Sequence, residues 1–245
     1  MKISAETKQR TRARLLEAAV DVITEKGFRS ASMREIANRA DVGDATIYNY
    51  FSTKEKLLYG YCEQVQEQVL AELKEIDDFH EFTLQEQLHQ FIELQLQTWL
   101  PAREFLKEVY EQTFVSPVAG YERLQPTREL FSSTIIELLD AAIEAGEIPD
   151  QPYKELLPRL AWDYMSAILA YWLQDESDHF SNTTQVVDRS VDIAFQLLKG
   201  GIIGKSMDLV SFLFRSHVLS NLDLLKGFAD EPAMVATKRR FMEGK

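Results

Sequence analysis

Between Arg34 and Lys54 the chain gathers side chains suited to one chemistry: hydrogen bonding to a nucleic acid. Thr46 and Asn49 can bond to base edges, and Ala45 can touch a thymine methyl group. Tyr48, Tyr50 and Lys54 can donate to phosphate oxygens, contacts that position a protein on DNA without reading sequence. Arg34 could meet a base or a phosphate. Interleaved with these stand Ile36, Val42, Ile47 and Phe51, spaced to face inward from short helices. Arrangements for catalysis do not emerge. His80, His89, His179 and His217 are scattered, with no H-E-x-x-H spacing for zinc. There is no nucleophile elbow, Walker loop or dinucleotide fingerprint. The lone cysteine, Cys62, reads as a packed apolar residue and excludes a disulfide framework. No enzyme, metal or cofactor is expected.

The elements that must position these groups are helices. The spacing of Leu15, Leu16, Ala19, Val22 and Ile23 predicts a first helix from about Thr7 to Lys26, stopped by Gly27. Ser32-Met33-Arg34-Glu35 fits the capping box that opens a second, short helix. Asp41-Val42-Gly43 breaks it, and a third helix runs from Asp44 to about Phe51. Short helix, tight turn, short helix is the helix-turn-helix unit. Its second helix must be slim and polar outside to enter a major groove about 12 Å wide. Thr46, Tyr48, Asn49 and Tyr50 would stand on that outer side. After Ser52-Thr53 a long fourth helix carries Leu57, Tyr61, Val65, Val69 and Leu73 as an i, i+4 ladder.

Residues 8–60 resemble the tetracycline-repressor (TetR) family. The resemblance lies in Gly27-Phe28, in Ile36-Ala37 through Asp41-Val42-Gly43-Asp44-Ala45-Thr46-Ile47-Tyr48-Asn49-Tyr50-Phe51, and in Lys54-Glu55-Lys56-Leu57. It implies that Thr46, Tyr48, Asn49 and Tyr50 face DNA and that Lys54 clamps a phosphate. Three residues depart from the family pattern. Asp41 replaces a turn glycine, and aspartate tolerates the left-handed conformation. Gly43 replaces a capping serine, at a cost of a few tenths of a kcal/mol. Asp44 replaces a basic or polar residue; it could accept from a cytosine amino group or cap the helix, and capping is the expectation.

The predicted division is a DNA-binding domain at 1–53 and an effector-binding and dimerisation domain at 54–245, all-α throughout. Charge agrees with it: residues 1–60 carry net +3 and the remainder −15 of the total −12. Such asymmetry suits a head that approaches an anionic polymer and a body that does not. Further helices are predicted at about 83–99, 102–115, 121–145, 153–176 and 183–199, with two more across 206–242. The helix at 153–176 is apolar on two sides, so it must bury one against a partner chain, a ligand or neighbouring helices. Leu169 and Leu173, with Val187, Val191, Ala194 and Leu198, are the candidate homodimer interface; the resemblance implies a four-helix contact there. Phe91, Trp99, Phe105, Tyr110, Phe114 and Tyr121, with Trp162 and Met165, could line a pocket for an apolar or aromatic effector, or simply fill the core. Lys238-Arg239-Arg240 reads as a basic helix end. Met1 to Arg14 lacks a signal peptide's apolar run, and no stretch is long and apolar enough for a membrane span, so a cytoplasmic location is expected. The partners implied are a pseudo-palindromic DNA operator, a small-molecule effector and a second copy of the chain, with no membrane.

Overall fold

The computed structural model describes residues 4–115, 117–151, 153–201 and 205–206, with the side chains of 114–119 outside that description. The helices expected across 206–242, the basic cluster at 238–240 and the side chain of Phe114 lie outside the described residues. Ten α-helices occur among the described residues, and no strand. The all-α class is as the sequence indicated.

The head begins with α1 (Ala5–Ser30), whose N-terminus is capped by Ser4. Gly27 interrupts it at φ +77°, ψ 155°, a conformation that side-chain-bearing residues rarely adopt. α2 (Met33–Arg39) opens on the predicted box: Ser32 Oγ accepts from the Glu35 N–H, and the Glu35 carboxylate accepts from the Ser32 N–H. The turn to α3 (Asp44–Tyr50) passes through Asp41 at φ +52°, the left-handed seat expected for it. α4 (Lys54–Lys74) then runs from the head into the body and packs against α1, α5 and α8. Its buried Leu57, Leu58, Val65 and Val69 join both regions in one continuous apolar core.

The body comprises α5 (Leu84–Trp99), α6 (Arg103–Val115), α7 (Pro117–Arg123), α8 (Gln125–Glu144), α9 (Leu157–Trp172) and α10 (Ser181–Lys199). The single helix expected over 121–145 is two. Pro126 stands at the start of α8, where a missing N–H costs nothing, so the chain breaks at Leu124. α9 likewise starts at Leu157 rather than 153, one residue before Pro158. Its C-terminal carbonyls at Trp172 and Leu173 are taken by the guanidinium of Arg103 from α6, at 2.9 Å each. Beyond it the buried carboxylate of Asp175 accepts from the N–H and hydroxyl of both Ser177 and Thr183, which fixes the entry to α10. Burial disfavours the charge of Asp175, but these bonds outweigh it and hold the carboxyl well below the usual carboxylate range.

Candidate nucleic-acid interface and effector cavity

α3 is anchored from below and open above. Ile47 is fully buried, Ile36 of α2 packs beneath it, Phe51 closes the C-terminal end, and Val42 packs against the same core from the turn. Phe51 sits against Gly60 of α4, where a Cβ would lie 3.0 Å from the ring, so the small residue permits this close approach. Arg14 of α1 braces the turn, donating to the carbonyls of Ala40 and Asp41 and pairing with the Asp41 carboxylate. Ala45, Tyr48 and Asn49 are exposed, Tyr48 at 56%. Thr46 is half-buried, and Tyr50 is half-buried against the core. The outer face of α3 therefore consists of a methyl group, a phenol and a carboxamide, with the Thr46 hydroxyl at its edge.

Two charged residues stand elsewhere than the sequence suggested. Asp44 does not cap α3. Gly43 is the N-cap and supplies no side-chain bond; Asp44 is the first helical residue and pairs with Arg34 Nε at 3.2 Å. The ammonium of Lys54 does not stand free for a phosphate. It donates to the carbonyls of Phe28 and Ala31 at 2.5 Å and of Arg29 at 3.3 Å, and lies over the Phe28 ring. An ammonium has three hydrogens, and three carbonyls surround this one. Lys54 thus holds the turn that Gly27 creates. From the body side, Glu108 of α6 accepts from the Phe28 N–H at 2.9 Å. A solvated face was the expectation for Glu108; instead this carboxylate is a polar bond between body and head.

A cavity of about 300 Å³ lies between α5, α8, α9 and α10. Its wall is built from Phe91 and Ile92, Phe131, Ile135 and Leu139, Met165, and Val191 with Leu198, among other apolar residues. Among the described residues only Tyr164 and Ser190 bring polar side chains to it, and their hydroxyls bond to each other at 2.6 Å. Of the aromatic set read from the sequence, Phe91 and Met165 line this cavity. Trp99 and Phe105 are instead core residues, both edge-on to Tyr61. The hydroxyl of Tyr110 donates to the Ser166 carbonyl of α9, Tyr121 is 39% exposed beneath Arg128, and Trp162 stands behind Phe131. The α8 residues were missed, although Phe131, Ile135 and Leu139 form an i, i+4 ladder visible in the sequence.

The interface set needs a larger correction. Leu173, Val187, Val191 and Leu198 are buried inside the protomer, and Leu169 is half-buried. Of the six residues Ala194 alone is exposed. The apolar surface that α9 and α10 leave uncovered is another stripe: Leu160 at 55%, Tyr171, Val186 and Ile193 at 59%. Among the described residues no helix is long and apolar enough to cross a membrane, and no group of acidic, histidine or cysteine side chains is arranged to hold a metal ion. Burial pushes the Cys62 thiol up to about 12, which leaves it unreactive as a nucleophile.

Comparison with known proteins bears on both regions. Residues 15–59 match the model for bacterial regulatory proteins of the tetR family, and residues 87–213 match that for the tetracyclin repressor-like C-terminal domain. The HTH-type transcriptional regulator UidR of Escherichia coli is 40% identical over 73 residues, 29% of this chain and 37% of that protein. The matched stretch thus spans little more than a third of the curated relative. Among solved structures, a protein described as a TetR-family transcriptional regulator from Syntrophomonas wolfei has a TM-score of 0.63 at 19% identity, over 77% of this chain and 96% of that one. FadR from Bacillus subtilis, solved in complex with stearoyl-CoA, has a TM-score of 0.60 at 21% identity, over 77% and 98%. These two likenesses are of fold. With one family model covering its helix-turn-helix and another covering more than half of its length, the chain belongs to the TetR family.

Proposed function

We propose that this chain is a ligand-responsive transcriptional regulator that binds a pseudo-palindromic duplex as a homodimer. The observation that carries this reading is the anchoring of α3: Ile47 is wholly buried while Ala45, Tyr48 and Asn49 stand in solvent beside it. A slim helix fixed from one side and polar on the other fits the major groove. Asn49 reads a base edge, Ala45 meets a thymine methyl group, and Tyr48 donates to phosphate. The apolar stripe of Leu160, Tyr171, Val186 and Ile193 pairs with its symmetry mate and sets two α3 helices about 34–36 Å apart, one DNA turn.

The cavity takes the effector. Its wall is largely aliphatic, which favours a flexible hydrocarbon chain over the aromatic ring that the sequence also allowed. FadR of Bacillus subtilis, of similar fold, was solved with stearoyl-CoA, so a long acyl chain is the class to try first. The route from cavity to head runs through α6. Tyr110 and Arg103 tie α6 to α9, a cavity wall, and Glu108 ties α6 to Phe28. A coupling of about 1–3 kcal/mol along it suffices to release DNA.

The test is a gel shift of the purified full chain against the DNA upstream of its own coding region, repeated over a salt series. Retardation that weakens steeply with salt is expected, since phosphate contacts dominate affinity. Failure to retard that duplex, or any unrelated one, at low salt overturns the reading. Adding stearoyl-CoA to the retarded complex tests the effector class. Release of the duplex supports an acyl effector, and an unchanged band, with no shift in melting temperature, removes it.

A further inference from the structure

We propose that Arg34 and Asp44 form one reading unit, in which Asp44 is a positioning residue that aims Arg34 at a guanine. This rests on the DNA-binding reading above. Arg34 is the second residue of α2 and Asp44 the first of α3, so the pair bridges the two helices of the motif. Arg34 Nε donates to Asp44 Oδ2 at 3.2 Å, and the side chains are 79% and 53% exposed. In stability such a pair is worth about 0–1 kcal/mol. Its consequence is one of direction.

Guanidinium carries five N–H groups, one on Nε and four on the two terminal nitrogens. With Nε engaged by Asp44, the end-on fork remains, and it meets no other group among the described residues. Two parallel N–H groups of this kind match the O6 and N7 acceptors of guanine in the major groove.

Charge separates a base from a phosphate as the target. A free arginine gains at a phosphate by displacing counterions. Beside Asp44 the guanidinium belongs to a neutral pair, and the carboxylate would repel the same phosphate. A guanine edge is uncharged and offers acceptors alone, so the pair accepts it. Asp44 Oδ1 is an acceptor only, and the base groups that can satisfy it are the amino groups of cytosine and adenine. The pair therefore selects by attraction and also by exclusion: Asp44 discourages the cationic arm from settling on backbone.

The test uses the full chain and a duplex pool randomised over about two helical turns, from which wild type selects its preferred sequence. Wild type, Arg34→Ala, Asp44→Ala and the isosteric Asp44→Asn are then titrated against that duplex, its single-base variants and an unrelated duplex, at several salt concentrations. Arg34→Ala should lose about five- to hundredfold of discrimination at one G·C pair, with little change in salt slope. Asp44→Ala and Asp44→Asn should bind the unrelated duplex more tightly, steepen the slope by about one phosphate contact and blunt the same guanine preference. Both positions are exposed, so the variants should melt as wild type does. Arg34→Ala weakening every duplex alike, with a slope shallower by about one contact, overturns the proposal. So do Asp44 variants with unaltered preference and slope. A wild-type chain that retains no duplex overturns the DNA-binding reading and this one with it.

Discussion

In α3 the neighbours Ile47 and Tyr48 are fully buried and 56% exposed; in α10 the neighbours Val187 and Val186 are 3% and 36% exposed. The geometry is the same, a helix with one face down. In the head the two faces differ in chemistry, so each side chain declares its side. In the body both residues are valine, and composition alone does not say which faces the protomer and which a partner. An apolar residue in the body has three uses (core, cavity wall, interface), and the same amino acids serve all three. A polar residue on α3 has far fewer.

The largest effect expected from this contrast is at Ile47. Ile47→Ala removes a wholly buried side chain and should cost about 2–5 kcal/mol. Retardation of DNA should disappear while the body keeps its helical signal in a thermal melt by circular dichroism. A single unchanged transition with intact DNA binding would show that α3 is not anchored there. The exposed stripe supplies the counterpart. Ile193→Asp places a charge on a residue 59% exposed in the protomer, so the protomer should fold as before. As a central interface residue it should weaken the dimer by about 2 kcal/mol or more, read as monomer by sedimentation at concentrations where wild type is dimeric. An Ile193→Asp dimer of unchanged affinity would move the interface elsewhere.

Glu108→Gln comes next, because it lies between the two regions. The amide oxygen can still accept from the Phe28 N–H, but the charge is gone. DNA affinity without effector should hold within a few tenths of a kcal/mol, the scale of changes at positions outside the interface. The drop in affinity that stearoyl-CoA produces should shrink by about 1 kcal/mol, a factor of about five. An effector response identical to that of wild type would remove Glu108 from the route.

How much was legible follows from the same contrast. The capping box at Ser32, the left-handed Asp41 and the inward set of Ile36, Val42, Ile47 and Phe51 were readable because each is a local rule of backbone or period. Helix limits in the body were readable to within a few residues, save where Pro126 and Pro158 reset a start. The partners of Lys54, Glu108 and Arg34 were not. Each bond joins residues well separated in sequence: Lys54 to Phe28, Glu108 to Phe28, Arg34 to Asp44. Side-chain type limits what such a group can bond, and tertiary packing decides what it does bond. The buried places of Val187, Val191 and Leu198 were obscured because α10 has apolar residues on both sides, with Val186 and Ile193 left outside.

Acid should separate the regions in a further way. The Asp175 carboxyl has a folded pKa below its unfolded value, set by Ser177 and Thr183. Its contribution is therefore complete above about pH 4, the ordinary aspartate range, and is lost as pH falls through the folded value. Since it fixes the entry to α10, the body's melting temperature should fall across that acid window. Asp175→Asn should already be lowered at neutral pH and show less further loss on acidification. Equal acid sensitivity in both proteins would assign the effect to other carboxylates.

The smallest expected effect is at the cap of α3. Gly43 has φ −67° and ψ 144°, ordinary extended values that serine adopts without strain. A Cβ there would lie 3.5 Å from Thr46 Oγ1, an ordinary contact. Gly43→Ser should therefore add a hydroxyl that accepts from the first turn and stabilise the head by a few tenths of a kcal/mol. The sign discriminates between two roles of Asp44. If Asp44 were already satisfying those N–H groups, a serine would gain nothing, and the carboxylate would be a cap after all. A measured gain, with the base preference unchanged in the same titrations, leaves Asp44 to its pairing with Arg34 and separates the residue that starts the helix from the residue that directs its reading.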